Sequence, residues 1–116
     1  MGLEDSRASG ARRASALPKD GLKAALLFSQ GVAVNGSDVI AGITGVLGKD
    51  VLLTGGLAGD YGAFTRTYTL LDGDVSDHRM ILVGLYGERL HISHGSFGGW
   101  QAFGPVRQAT RAEGNV

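Results

Sequence analysis

Cysteine is absent from this chain of 116 residues, and proline occurs only twice. Without cysteine the chain has no disulfides, no thiol nucleophiles and no cysteine-ligated zinc or iron–sulfur sites. Eleven basic and eleven acidic residues give a formal net charge of zero, so the basic excess of a general nucleic-acid-binding protein is missing. No apolar run approaches the roughly 18 residues that a membrane span needs. We therefore expect a cytoplasmic domain that binds neither nucleic acid nor membrane.

The residues that are present favour one folded domain behind a short tail. The hydrophobic fraction of 43% is ordinary for a globular protein, and the length suits one core. Residues 1–20 are dominated by Ser, Ala, Gly and Arg and show no apolar stripe, so we expect them to be disordered. The folded domain is expected over residues 21–116.

Two short apolar runs flank a segment with helical periodicity. The runs at residues 22–28 and 51–54 predict buried strands. Between them, apolar residues recur on one helical face over residues 38–47, with Ser37 as the expected N-cap and Gly48 as the expected end. The order strand, helix, strand predicts a parallel βαβ unit.

The second half of the chain is β-like in character. Thr at every second position alternates with Arg66, Tyr68 and Leu70 over residues 65–71, and Asp72-Gly73 is a strong hairpin signal. The apolar run at residues 80–83 predicts a central strand covered on both faces. Further strands are expected at residues 90–94 and 106–110.

These elements predict an α/β fold, in which one βαβ unit is followed by an antiparallel β-meander in a mixed sheet. A single helix is expected to pack on that sheet. Gly42 and Gly45 lie within the helix, where glycine is unfavourable, and we interpret them as permitting close packing of the helix on the sheet.

A glycine-rich stretch, Gly55-Gly56-Leu57-Ala58-Gly59-Asp60, is the first candidate for ligand binding. It lacks the G-x-G-x-x-G spacing of a dinucleotide site, and a β-like segment follows it where a helix is required. Glycines still allow main-chain N–H groups to approach a ligand closely. Asp60 either accepts hydrogen bonds from a ligand amine or bonds to the main chain of its own loop.

Three other side chains have two interpretations each, and Thr110 has one. Trp100, after two glycines, forms a pocket wall or plugs the core beneath a loop. His94 ligates haem or is a hydrogen-bonded residue at the core boundary. Arg66 binds a ligand carboxylate or forms a surface ion pair. Thr110 is a candidate to direct its hydroxyl into a pocket. His91 and His94 lie on opposite faces of the expected strand, which argues against a shared metal ion.

Several of these residues belong to motifs that follow one another in a fixed order. The motifs are Gly55–Asp60, Thr67, Asp72-Gly73, Gly99-Trp100, Phe103-Gly104-Pro105 and Thr110–Asn115. In order and spacing the set resembles the N-terminal half of the FIST domain. The resemblance covers residues 22–116 and implies a partial FIST-like sensory domain.

The resemblance implies a non-catalytic sensory domain of bacterial signal transduction that binds a small ligand such as an amino acid. It also implies a C-terminal FIST portion or a signalling output domain outside this chain. The sequence shows no G-x-S-x-G nucleophile motif. We expect no metal or other cofactor, and the candidate ligand-binding residues are Gly55, Gly56, Asp60, Arg66, His94, Trp100 and Thr110.

Two alternatives stay open. One is a haem-binding nitric-oxide sensor with His94 as the iron ligand, which a subset of the FIST family resembles. The other is a structural or oligomerisation fragment without its own ligand, because open strand edges pair readily with other chains and would give a homo-oligomer.

Overall fold

The computed structural model describes residues 5–113, which form two helices and five strands. The elements are α1 (Ser6–Ala16), β1 (Leu22–Ser29), α2 (Gly36–Leu47), β2 (Leu52–Leu57), β3 (Thr69–Leu71), β4 (Asp74–Ser76) and β5 (Met80–Tyr86). The predicted mixed α/β class is confirmed. No helix within these residues combines the length and the apolar character that crossing a membrane requires.

The predicted βαβ unit is β1, α2 and β2. Strand β1 pairs in parallel with β2, with Ala25 opposite Leu53. Helix α2 begins two residues earlier than expected, because Asn35 and not Ser37 is the N-cap. The Asn35 side chain accepts a hydrogen bond from the Asp38 N–H at 3.3 Å. Gly48, with φ of 81°, ends the helix as predicted.

The third strand of the sheet is β5, which runs antiparallel to β1. The strand order is β2-β1-β5. The prediction that residues 80–83 form a central strand is therefore wrong, because β5 pairs only with β1 among the described residues. Strand β1 is central instead, and its Ala24 and Ala25 are completely buried.

A second helix lies in the segment that we expected to be disordered. Within residues 1–20, residues 6–16 form α1, which packs against α2, so the predicted tail and the predicted single helix are both corrected. Residues 1–4 lie outside the described part. Helix α1 buries small residues such as Ser6 and Ala14, which leave no large apolar stripe for periodicity to reveal.

Close contact between the helices depends on Gly42. A Cβ at this position would overlap the main-chain carbonyl of Arg7 on α1. Gly42 thus serves packing of α2 on α1, whereas we had expected it to serve packing on the sheet. The hydrophobic core lies between the helices and one face of the sheet, and its fully enclosed residues are Ala14, Leu27, Val34, Val39, Ile43 and Met80.

The predicted hairpin at Asp72-Gly73 is confirmed, and it joins β3 to β4. Asp72 and Gly73 both have positive φ, 53° and 79°, as a tight hairpin turn requires. Strand β3 is shorter than the predicted 65–71. The strands expected at 90–94 and 106–110 are not formed, and residues 87–113 contain neither a helix nor a strand.

Candidate functional site

Gly55 and Gly56 belong to β2, although we had placed them in a loop. A Cβ at Gly55 would overlap main-chain atoms of Leu27 on the neighbouring strand, and its φ of 136° lies in a region that favours glycine. A Cβ at Gly56 would meet nothing within 4 Å. Gly55 is therefore required by strand packing, while Gly56 leaves open space beside the strand.

The outer edge of β2 faces a cavity of about 1450 Å³, here called the edge cavity. Residues of β2, of α2 and of the segment 90–97 line it. Among the described residues β2 pairs only with β1, so the main-chain groups at its other edge are free to bind a ligand. Gly55, Gly56 and His94 are the predicted site residues that the structure brings together here.

Charged side chains of both signs line the edge cavity. Lys23 lies on β1, and Lys49 and Asp50 directly precede β2. All three residues are exposed, so they reach the cavity without a desolvation cost in the free protein. Sequence reasoning missed these residues because no motif surrounds them, and only the position just before an expected strand marked Lys49 and Asp50.

His94 lies in the wall of the edge cavity but is not held by a regular element. It is exposed and lies in a segment without helix or strand. The expectation that it shares a strand face with Leu90 and Ile92 at the core boundary is therefore wrong. Among residues 5–113 no group of three or more His, Asp or Glu side chains is placed to hold a metal ion.

Asp60 bonds to its own loop, as one of its two readings predicted. Its carboxylate accepts hydrogen bonds from the main-chain N–H groups of Phe64 at 2.9 Å, Thr65 at 2.7 Å and Arg66 at 3.2 Å. These bonds, led by the one from Thr65, hold the pKa of Asp60 below its ordinary value of 3.8. Asp60 does not line the edge cavity.

Arg66 forms a surface ion pair. Its Nε lies 3.2 Å from an Asp77 carboxylate oxygen, and the other oxygen lies 3.0 Å from Nδ1 of His78. The contact with His78, followed by the charge of Arg66, lowers the pKa of Asp77. The structure thus gives the Arg66 guanidinium a partner within the chain and places it outside the edge cavity.

Trp100 and Thr110 are exposed in the C-terminal segment and do not line the edge cavity. Trp100 is 97% exposed, so it is neither a pocket wall nor a core plug within this chain. Asp60 and Trp100, which were both candidate ligand-binding residues, therefore do not share the edge cavity.

Thr67 has a structural role that explains its place among the motifs. It is buried, and its hydroxyl oxygen accepts a hydrogen bond from the Gly31 N–H at 2.7 Å. Gly31 in turn contacts Ala58 so closely that a Cβ there would overlap the Ala58 carbonyl. The hydrogen bond between Gly31 and Thr67 therefore joins the loop after β1 to the segment that precedes β3, and Gly31 packs against the loop after β2.

The whole chain, residues 1–116, matches the family model described as the FIST N domain. No curated protein and no solved structure matches the chain.

Proposed function

The chain belongs to the FIST N domain family, and from this we propose that it is a sensory domain of bacterial signal transduction that binds a small ligand and catalyses no reaction. Family membership supports the sensory role. The ligand class and the binding site are argued from the geometry of the edge cavity.

We propose a free amino acid as the ligand. The observation that carries this proposal is that Lys23 and Lys49, Asp50 and the side-chain-free strand at Gly56 line one cavity. A zwitterion offers a carboxylate to a lysine ammonium and an ammonium to a carboxylate, which are charge-assisted hydrogen bonds. The edge cavity exceeds the roughly 300–1,000 Å³ of a typical ligand pocket, so the amino acid occupies only the part beside Gly55 and Gly56.

Binding at this place would be transmitted through α2 and β2. The cavity wall includes Ile40 and Thr44 of α2 together with most of β2. A ligand that contacts both α2 and β2 binds most tightly to the conformation in which these two elements are closest together, and so it raises the population of that conformation. A C-terminal FIST portion or an output domain that packs on these elements would read the change.

Haem is the weaker of the two ligand candidates. His94 is exposed and lies in a segment without helix or strand, so no regular element positions its imidazole to ligate haem iron. Adding haemin to the purified chain should give no Soret shift, and a shift that His94→Ala removes would restore that alternative.

A thermal-shift screen of the 116-residue chain against the free amino acids tests the proposal. A ligand at about one hundred times its Kd stabilises the native state by about 2.7 kcal/mol, which raises the Tm of a domain of this size by about 10 °C. Lys49→Gln should weaken binding about tenfold, or about 1.4 kcal/mol. Arg89→Gln, an exposed cation that does not line the edge cavity, is the matched control and should bind as the parent chain does. If no amino acid shifts the Tm of the folded chain, the proposal fails.

A further inference from the structure

The C-terminal segment exposes large apolar side chains that no other part of residues 5–113 covers. Every residue from 93 to 113 is exposed. Trp100 is 97% exposed, and Phe103 and Val106 are fully exposed. Residues 97–113 are here called the arm. Large exposed apolar side chains concentrated in one short segment are typical of an interaction site.

The surface area of the chain is too large for a monomer of its mass. Its accessible surface is 8790 Å², whereas a compact monomer of 12.0 kDa exposes about 6,000 Å². The radius of gyration is 16.0 Å, against about 13 Å for a compact domain of 116 residues. The excess is about 2,800 Å² for one chain and therefore about 5,600 Å² for two chains, against the roughly 2,000–5,000 Å² or more that a permanent dimer buries in total.

A complementary apolar surface lies on the face of the sheet that the helices leave open. The pairing register places Phe28, Ile81 and Val83 on this face, opposite the core residues Leu27 and Leu82. Phe28 is 49% exposed and Val83 is 40% exposed.

This face and the hairpin enclose an apolar groove. Together with Tyr68 and Leu70 beside the hairpin, the face lines a cavity of about 750 Å³, here called the face groove. No charged residue lines it.

We propose that two copies of the chain dimerise by exchanging arms, so that Trp100 and Phe103 of each copy fill the face groove of the other. The arm of this chain does not cover its own groove, since both surfaces are exposed at once. In a pair of chains, each arm can bind in the face groove of the other chain. Because this exchange is reciprocal, it gives a two-fold symmetric dimer in which no arm and no groove is left unoccupied. The face groove shares Gly55, Gly56 and Leu57 with the edge cavity, whereas Trp100 and Phe103 of the arm line neither of them.

Sedimentation velocity of the full chain tests the exchange. The parent chain should sediment as a dimer of about twice 12.0 kDa. The double variant Trp100→Ser/Phe103→Ser lacks the arm contacts and should be a monomer. Val83→Glu places a charge in the face groove and should also be a monomer. Phe64→Ser, which removes an exposed aromatic outside both surfaces, is the matched control and should remain dimeric.

Mixing the two monomeric variants distinguishes exchange from other dimers. The Val83→Glu chain has an intact arm and the double variant has an intact groove, so one arm can still dock and a heterodimer should form. Circular dichroism confirms that both variants are folded. A monomeric parent chain, a dimer that persists in the double variant, or a mixture that stays monomeric would each overturn the proposal. A monomeric parent would also leave the arm for a segment of another protein.

Discussion

Asp60 and Arg66 show how a side chain that is suited to a ligand can be satisfied by its own surroundings. The Asp60 carboxylate accepts three main-chain N–H groups of the turn that follows it, and Arg66 faces Asp77. Two residues of that turn, Tyr61 and Phe64, have positive φ. Such a turn directs consecutive N–H groups toward a carboxylate, so Asp60 holds the loop in place.

The stability that Asp60 contributes should depend on pH. Because the folded state lowers the pKa of Asp60, its contribution is present above the ordinary value of 3.8 and is lost as the pH falls through the lower folded-state value. Asp60→Asn removes this contribution. Urea unfolding of both chains should therefore give a difference in unfolding free energy that is constant above about pH 5 and shrinks below about pH 4. A difference that stays the same down to pH 3 would contradict this role.

At the scale of helices and strands, the local sequence pattern predicted the elements whose apolar residues form a continuous run or recur on one face. Strands β1 and β2, helix α2 and the Asp72-Gly73 hairpin all follow from apolar runs, periodicity and turn chemistry. Helix α1 could not be predicted, because its buried face consists of small residues. Such residues stabilise a helix only where a neighbouring helix packs closely against them. The strands expected after Tyr86 are absent because strand-like sequence needs a pairing partner, and none is available to it among the described residues.

The contact between α1 and α2 yields a prediction with an internal control. Gly42→Ala forces a methyl group against the Arg7 carbonyl, and such overpacking costs about 1–3 kcal/mol. Gly45→Ala lies on the same helix with nothing within 4 Å, so it should stabilise the chain by about 0.5–1 kcal/mol. Chemical unfolding of both variants measures the difference. If the two substitutions have the same effect, the helices do not pack as closely as described.

In the whole molecule, the predicted site residues do not all lie together. Gly55, Gly56 and His94 meet at the edge cavity, while Asp60, Arg66, Trp100 and Thr110 lie elsewhere. Gly55 and Gly56 could be predicted because glycine allows main-chain N–H groups to approach a ligand closely. Lys23, Lys49 and Asp50 could not be, since their proximity depends on the pairing register between β1 and β2, which no local pattern encodes.

The most direct measurement is an amide NMR titration of the ¹⁵N-labelled chain with the amino acid that gives the largest thermal shift. The main-chain N–H groups of Gly55 and Gly56 should move most, together with those of Lys49 and Asp50, and Lys49→Gln should reduce all four changes. Shifts confined to the Asp60 loop or to the arm, or no shifts at saturating amino acid, would contradict a binding site beside β2.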